Sequence, residues 1–250
     1  MDVIGTGFLA RHLATLENRH RDVIALAAGV SWASGTSAAD FAREEALVRR
    51  TAERCRNTGR TLLFFSTASA GVYGSEKPGL ESDPPHARSP YGAHKLGLEE
   101  VVRCSGADHL VLRLGHLVGP GQPEHQLLPT LTRRLRSGSV TVQRHATRDL
   151  VDVTDVVGVI DALLSAGARQ QIVNVASGYA VPVGLVIDHL ELRLGTQARR
   201  EFQDAGASHR VGIGKLRTLV AADRLPAFGP DYFRRVLDDF VAAETTRTPT

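Results

Sequence analysis

The stretch "VIGTGFLARHL", Val3–Leu13, decides how this chain is read. Val3 and Ile4 end a short apolar run of strand type. Gly5, Thr6 and Gly7 turn the chain, and Phe8, Leu9, Leu13 and Leu16 then recur at helical spacing. Residues 5–10 fit the pattern G-x-G-x-x-A. In that pattern the first glycine permits a tight turn, the second lets the backbone approach a pyrophosphate, and the alanine lets the helix pack closely on a sheet. The helix start would then offer free N–H groups to a phosphate. Alone the pattern often arises by chance and marks only a turn. It gains weight directly after a strand and at the start of a helix. The full signature also places an acidic residue about 20 positions on, at the end of the second strand, to grip a ribose. Here the next strand, "DVIALAAG" (residues 22–29), ends in small residues, and Asp22 precedes it. The phosphate cradle is present and the ribose clamp is missing.

Outward from this stretch, apolar runs alternate with amphipathic ones. "TLLFFSTAS" (61–69), "HLVLRLGHLVG" (109–119) and "QIVNVASG" (171–178) read as buried strands. Between them, residues 40–59, 91–106 and 152–167 read as helices, with Asp40 as a candidate cap, Gly59 as a candidate stop, and Asp152 or Thr154 near the third helix start. Residues 127–138 and 229–244 add two helices, and "SVTVQ" (139–143) a short strand. Apolar strands without strict alternation, separated by helices, predict a parallel sheet covered on both faces. The expected fold class is α/β, a Rossmann-like doubly wound parallel sheet with a small C-terminal lobe. The expected division is a core of residues 1–115 plus 150–178, and a substrate lobe of 116–149 and 179–250. Ligands in such folds bind at the C-terminal ends of the strands.

The composition excludes several classes. Thirty basic and 27 acidic residues leave a net charge of +3, too little imbalance to point to nucleic acid. No apolar run reaches the roughly 18 residues of a membrane helix, and no signal-peptide flank is visible at the N-terminus. The two cysteines, Cys55 and Cys104, form no CxxC and read as reduced thiols of a cytoplasmic protein. His12, His20, His86, His94 and His145 show no metal-ligand spacing, so no metal is expected.

Two further stretches carry candidate chemistry. In "FFSTASAGVYG" (64–74) a buried strand ends in Ser66, Thr67 and Ser69, hydroxyls that face a ligand crevice or simply cap a turn. In "SPYGAHK" (89–95), Tyr91 and Lys95 are i and i+4 on one helix face. A free tyrosine ionises near about pH 10. A neighbouring ammonium is expected to lower that value, so that the phenol can exchange a proton with an alcohol. The same spacing also occurs on ordinary helices.

Taken in order, these segments resemble the extended short-chain dehydrogenase/reductase family, in its NAD-dependent epimerase/dehydratase branch acting on nucleotide sugars. The resemblance runs through "GTGFLARHL", "VIALAAG", "FFSTASAGVYG", "ESDPPHARSPYGAHKLGLEE", "LRLGHLVGPGQ", "TRDLVDVTDVVGVI" and "IVNVASG", nearly the whole chain. It implies an NAD(P)-dependent oxidoreductase or epimerase working on a nucleotide-linked keto-sugar or similar polar substrate. Tyr91 would be the acid/base, Lys95 would hold the nicotinamide ribose, and Ser69 would bind the reacting oxygen. Gly5, Thr6, Gly7, Phe8, Leu9, Ala27 and Ala28 would contact NAD or NADP. Ala70, His116 and Arg148 would face the substrate, Arg148 either meeting a phosphate or pairing with Asp149 or Asp152. Arg113 is expected to be structural and His94 a flank. A homodimer through long helices, with the Tyr91 helix contributing, is also implied.

Three departures from the family pattern stand out. About 50 residues are missing between the glycine helix and "VIALAAG", equivalent to about one strand–helix–strand unit and most of the adenosine pocket. His116 stands where the family usually has asparagine. Ala70 and Gly71 stand where 4,6-dehydratases usually carry an Asp–Glu pair, which counts against dehydration. Two alternatives remain open at this level. One is a non-redox isomerase, lyase or cyclase using the same Ser/Tyr/Lys set, and the other is a non-catalytic nucleotide-binding sensor or interaction protein.

Overall fold

The computed structural model describes residues 1–30, 36–69, 72–74 and 76–247. The chain begins with β1 (Asp2–Ile4), α1 (Phe8–Leu13), β2 (Val23–Leu26), α2 (Ala38–Thr58), β3 (Thr61–Thr67), α3 (Pro90–Arg103) and β4 (His109–Leu114). It continues through β5 (His116–Val118), α4 (Leu127–Arg136), β6 (Ser139–Gln143), β7 (Thr147–Arg148), β8 (Leu150–Asp152), α5 (Val153–Ser165) and β9 (Gln171–Val175). It closes with β10 (Val181–Pro182), α6 (Val183–Leu194), β11 (Arg199–Gln203), α7 (Gly214–Leu219) and α8 (Tyr232–Arg247).

Five strands form one parallel sheet in the order β1-β2-β3-β4-β9. Every residue of β2, β3 and β4 is buried, as expected of strands covered on both faces. Leu13 and α5 pack with Val23, Ala25, Leu63, Phe65 and Leu112 on one face. Val48, Ala52 and Cys55 of α2, with Leu98 and Val102 of α3, pack on Ile24, Leu26, Leu62 and Phe64 on the other. The sheet is therefore doubly wound, as the sequence pattern predicts.

The order carries a topological mark. The crossovers β1–α1–β2, β2–α2–β3 and β3–α3–β4 all step the same way across the sheet. The last two run over the α2/α3 face, whereas the first runs over the opposite face. The first crossover therefore has the opposite hand to the two that follow, although such connections share one hand in nearly all proteins. In the full 3-2-1-4-5-6 order, the helix after the first strand leads to strands on the far side of that strand. Without that unit, α1 must lead straight to β2 and the hand is inverted. β1 is left as an edge strand, with all three residues at least partly exposed.

Capping explains where the functional helices start. Ser37, rather than the expected Asp40, caps α2; Asp40 completes a capping box by accepting the Ser37 N–H. Gly59 ends that helix in the left-handed conformation. Ser89 caps α3 by accepting the Gly92 N–H at 3.0 Å, and Pro90 follows in the first turn. Asp152 caps α5 through the N–H groups of Thr154 and Asp155. Beyond β4, three small strand pairs (β5–β8, β6–β11 and β7–β10) build the C-terminal part of the molecule.

Among the described residues, no helix is long and apolar enough to cross a membrane. No group of three or more His, Cys, Asp or Glu there is placed to hold a metal. Cys55 is buried, its thiol pushed up to about 11 by burial, and Cys104 is exposed; neither is bonded to another cysteine.

Candidate active site

The glycine turn after β1 is built for close approach. Gly5 has φ +133°, and a Cβ there would lie 2.5 Å from the Ala27 carbonyl oxygen and 2.9 Å from the Ala28 nitrogen. Only glycine fits. A Cβ on Gly7 would meet nothing within 4 Å, so its backbone faces open space, as the cradle needs. Arg11 steadies the turn by donating to the Thr6 carbonyl at 3.1 Å and the Gly121 carbonyl at 3.0 Å. Phe8 is buried and packs toward Gly119, and Leu9 is partly buried against the core. Their side chains belong to the core, so a ligand at this turn would meet their backbone.

One residue beyond Ala28, Gly29 borders the second part of the site. A Cβ there would fall 2.4 Å from Glu44 Oε1 and 3.0 Å from Lys95 Nζ. Lys95 donates to Glu44 Oε1 at 2.6 Å, and His94 Nε2 bonds Glu44 Oε2 at 2.8 Å. Both members of the Lys95–Glu44 pair are buried. The Lys95 ammonium also lies 5.6 Å from the Phe64 ring centre and 5.8 Å from that of Tyr91. A continuous line thus runs from Gly5 through Ala27–Gly29 to Glu44, Lys95 and Tyr91. His94, expected to be a flank, is a hydrogen-bond partner of Glu44.

Tyr91 retains some exposed surface. Burial nevertheless pushes its phenol above the ordinary value, Lys95 pulls it down, and Glu44 pushes it up again. The expected lowering of the Tyr91 pKa is therefore reversed in sign, chiefly because burial disfavours the phenolate by more than the ammonium favours it, with the Glu44 carboxylate adding to the rise.

Ser69 sits just beyond β3. Its hydroxyl shares a 2.9 Å hydrogen bond with Thr67 Oγ1, and its N–H donates to the same atom at 3.0 Å. Ser66, within β3, is buried and donates to Glu99 at 2.5 Å. Ala70, a candidate substrate contact, and its neighbour Gly71 lie outside the described residues.

A second cluster forms where β5, β7 and the segment before α7 meet. Among the described residues, the Arg148 guanidinium donates only to the carbonyls of Thr147, at 2.7 Å, and Ala207, at 3.4 Å. Among the described residues it pairs with neither Asp149 nor Asp152: Asp149 accepts from Ser177 and Gly178, and Asp152 caps α5. Burial lowers the Arg148 pKa. The buried Nε2 atoms of His116 and His209 have no hydrogen-bond partner among the described residues. Burial, with Arg148 as a like charge, pushes both imidazoles down to about 4. His209 has no sequence motif and was found only through the fold. A cavity of about 360 Å³ opens beside Arg148, lined also by Leu127, Leu131, Thr141 and Gln143.

Arg113 is structural, as expected. It grips Glu99 through Nε at 2.9 Å and a terminal nitrogen at 2.7 Å, and donates to the Tyr73 hydroxyl at 2.7 Å. Tyr73 in turn donates to Asn174 at 2.8 Å.

The nicotinamide side of a dinucleotide has fitting residues: a glycine turn that tolerates no Cβ at Gly5, open space at Gly7, and a buried lysine beside a tyrosine. The adenosine side does not fit, since β1 is the sheet edge and β2 ends without an acidic clamp.

A doubly wound sheet with a glycine turn after its first strand and a Tyr–Lys helix beside it defines the class of short-chain dehydrogenase-like proteins. The chain belongs to the NAD dependent epimerase/dehydratase family, whose model matches residues 5–176. It is 32% identical to a dTDP-6-deoxy-L-talose 4-dehydrogenase (NAD(P)(+)) of Kitasatospora kifunensis, over 71% of this chain and 60% of that protein. It is 30% identical to a GDP-6-deoxy-D-mannose reductase of Pseudomonas aeruginosa, over 55% of this chain and 50% of the reductase. The chain thus spans between half and three fifths of the length of these two relatives. Among solved structures it resembles MoeE5 in complex with UDP-glucose and NAD, with TM-score 0.83, 21% identity, and 98% and 99% of the two chains covered. At that identity the likeness concerns the fold.

Proposed function

We propose that the chain is an NAD(P)-dependent oxidoreductase of a nucleotide-linked sugar, with Tyr91 as proton donor and acceptor and Ser69 binding the reacting oxygen. The observation that carries this reading is the unbroken line Gly5, Ala27–Gly29, Lys95, Tyr91 along the C-terminal ends of β1 and β2. The cofactor, when bound, supplies or takes the hydride. Gly5–Gly7 would hold its pyrophosphate and Lys95 would hold its nicotinamide ribose. As a carbonyl carbon is reduced, its oxygen gains the electron pair and Tyr91 gives that oxygen the phenolic proton; the reverse reaction returns it. A phenol raised above its ordinary value stays protonated at neutral pH. It therefore suits reduction of a keto-sugar better than oxidation.

Arg148, His116 and His209 form the proposed subsite for the diphosphate of the sugar nucleotide. The guanidinium supplies charge, and imidazoles that stay neutral at pH 7 can each present an N–H. The two relatives' names give 6-deoxyhexose nucleotides as the first substrates to try. A homodimer contacting through α3, which rests on family resemblance, and a cytoplasmic location, which rests on the two unpaired cysteines, complete the reading.

The lack of an adenosine side favours one second reading, the same Ser/Tyr/Lys set working without redox turnover. Fluorescence titration with NADH and NADPH separates the two. Binding with a Kd below about 100 μM, together with oxidation of the bound cofactor by a keto-sugar nucleotide, supports the oxidoreductase. Turnover of a sugar nucleotide with neither cofactor bound supports the second reading.

A further inference from the structure

We infer that Glu44 is a positioning residue of this site: its carboxylate fixes Lys95 and His94 beside Tyr91 and sets the net charge that the phenol meets. The inference rests on the proposed role of Tyr91. Glu44 lies on α2, far in sequence from every motif of the site, and is 5% exposed. A carboxylate so buried is costly unless both oxygens are engaged. Here one accepts from Lys95 at 2.6 Å and the other bonds His94 at 2.8 Å. The Phe41 ring lies 4.3 Å from the His94 ring and holds that imidazole from its other side. The end of β2 leaves room for the group, since any side chain at Gly29 would collide with the carboxylate and the ammonium together.

Glu44 therefore joins the turn after β2, helix α2 and the first turns of α3 at the place where Tyr91 works. Among the described residues, the titratable and charged groups around the phenol are Lys95 and His94 on its own helix and Glu44 on α2. The turn after β2 contributes Gly29 here, and β3 contributes the uncharged Phe64 ring. With Glu44 in place, the ammonium 5.8 Å from the Tyr91 ring is balanced by a carboxylate. Tyr91 then remains a neutral donor rather than a standing phenolate. Without the carboxylate, Lys95 would act on the phenol unopposed.

The test is E44Q, which keeps the shape and removes the charge. The Tyr91 phenol is titrated by its ultraviolet difference spectrum against Y91F. The pH profile of turnover is followed with dTDP-6-deoxy-L-talose and NADP⁺. Glu44→Gln is expected to lower the phenol midpoint by about one pH unit or more and to move the limb of the pH profile the same way. An E44Q protein with the wild-type midpoint and profile overturns the inference, even if its turnover is reduced. Should E44Q not fold, K95Q carries the test. There Glu44 is left unopposed and the midpoint must rise; an unmoved midpoint overturns the inference. A midpoint shift in E44Q, with neither turnover nor NADH binding in the wild type, sustains the role of Glu44 and overturns the oxidoreductase reading instead.

Discussion

Helix α3 carries two buried ion pairs one turn apart, and they do different work. Glu99 faces the sheet and grips Arg113 of β4; Lys95 faces α2 and grips Glu44. The Glu99 pair is surrounded by further partners: Ser66 donates to its carboxylate, Tyr73 takes the remaining arm of the guanidinium, and Asn174 extends the chain to β9. These are groups of the scaffold, and the network ties β3, α3, β4 and β9 together. The Glu44 pair stands at the open ends of the strands beside a partly exposed tyrosine. Similar burial and similar chemistry thus serve architecture in one place and the proposed reaction site in the other. What differs is the phenol beside each pair: Tyr73 is buried with its hydroxyl bonded to Arg113 and Asn174, whereas Tyr91 is partly exposed.

The sharpest way to break the comparison is to remove one partner from the structural pair. Arg113→Ala leaves Glu99 buried and unpaired and takes a donor from Tyr73. Losing one partner of a buried pair costs about 3–5 kcal/mol. Urea unfolding should show a loss of that order, with activity falling in step with the folded fraction. A loss below about 1 kcal/mol would show that the network is not what fixes β4. Tyr91→Phe should do the opposite. Turnover should drop by about 10²–10⁴-fold, the usual worth of a positioned acid/base, while the unfolding midpoint stays within a few degrees of wild type. Surviving turnover would remove Tyr91 from the chemistry.

A smaller effect separates the lobe from the core. His116 and His209 are held neutral, with folded pKa values of about 4 against roughly 6.5 in the unfolded chain. The unfolded chain then takes up protons first as the pH falls. Their contribution to stability is complete above pH 6.5 and is lost on the way down to pH 4. Between pH 7 and 5 each should cost about 2 kcal/mol, and His209→Gln should remove its share of that slope. Urea unfolding at the two pH values measures it. Added dTDP should flatten the wild-type slope, because an anion beside Arg148 favours the protonated imidazoles.

The comparison also shows what a sequence makes legible. The five strands of the sheet, the glycine turn and the Tyr–Lys helix all follow from local runs and spacings, because apolar periodicity and turn chemistry are written within some ten residues; the missing unit follows only from the family resemblance. Glu44 and His209 are not legible in this way. Glu44 sits in a charged amphipathic helix, "AREEALVRR", where a carboxylate ordinarily faces water. Its importance appears only once α2 packs on α3 and brings it to a lysine 51 residues away in sequence. Burial of the phenol, likewise invisible along one helix, reverses the expected direction of the Tyr91 pKa. His209 lies in an irregular segment with no periodic signal and becomes a candidate only through its unpartnered buried nitrogen next to Arg148. Pairwise charge arguments made along one helix miss whatever the neighbouring helix brings.

The smallest expected effect tests the topology itself. Two regions flank the glycine turn. The lysine side is furnished with buried, paired groups, whereas the far side of β1 is a bare sheet edge reached by a crossover of inverted hand. In a complete doubly wound sheet the strands beyond the first, and the acidic residue at the end of the second, hold the adenosine half of the dinucleotide. With that half unsupported, adenosine should add little to binding. Reduced nicotinamide mononucleotide and NADH are expected to bind within about threefold of each other, a difference under about 1 kcal/mol. ADP-ribose should compete poorly with either. Fluorescence titration of the two reduced cofactors, with ADP-ribose as competitor, measures this. NADH binding more than about thirtyfold tighter than the mononucleotide would mean that groups on this chain grip adenosine despite the bare edge, and that the inverted crossover has no consequence for the cofactor. Near equality would give the inverted crossover a functional meaning, because a site that grips only the nicotinamide half has little means of telling NAD from NADP.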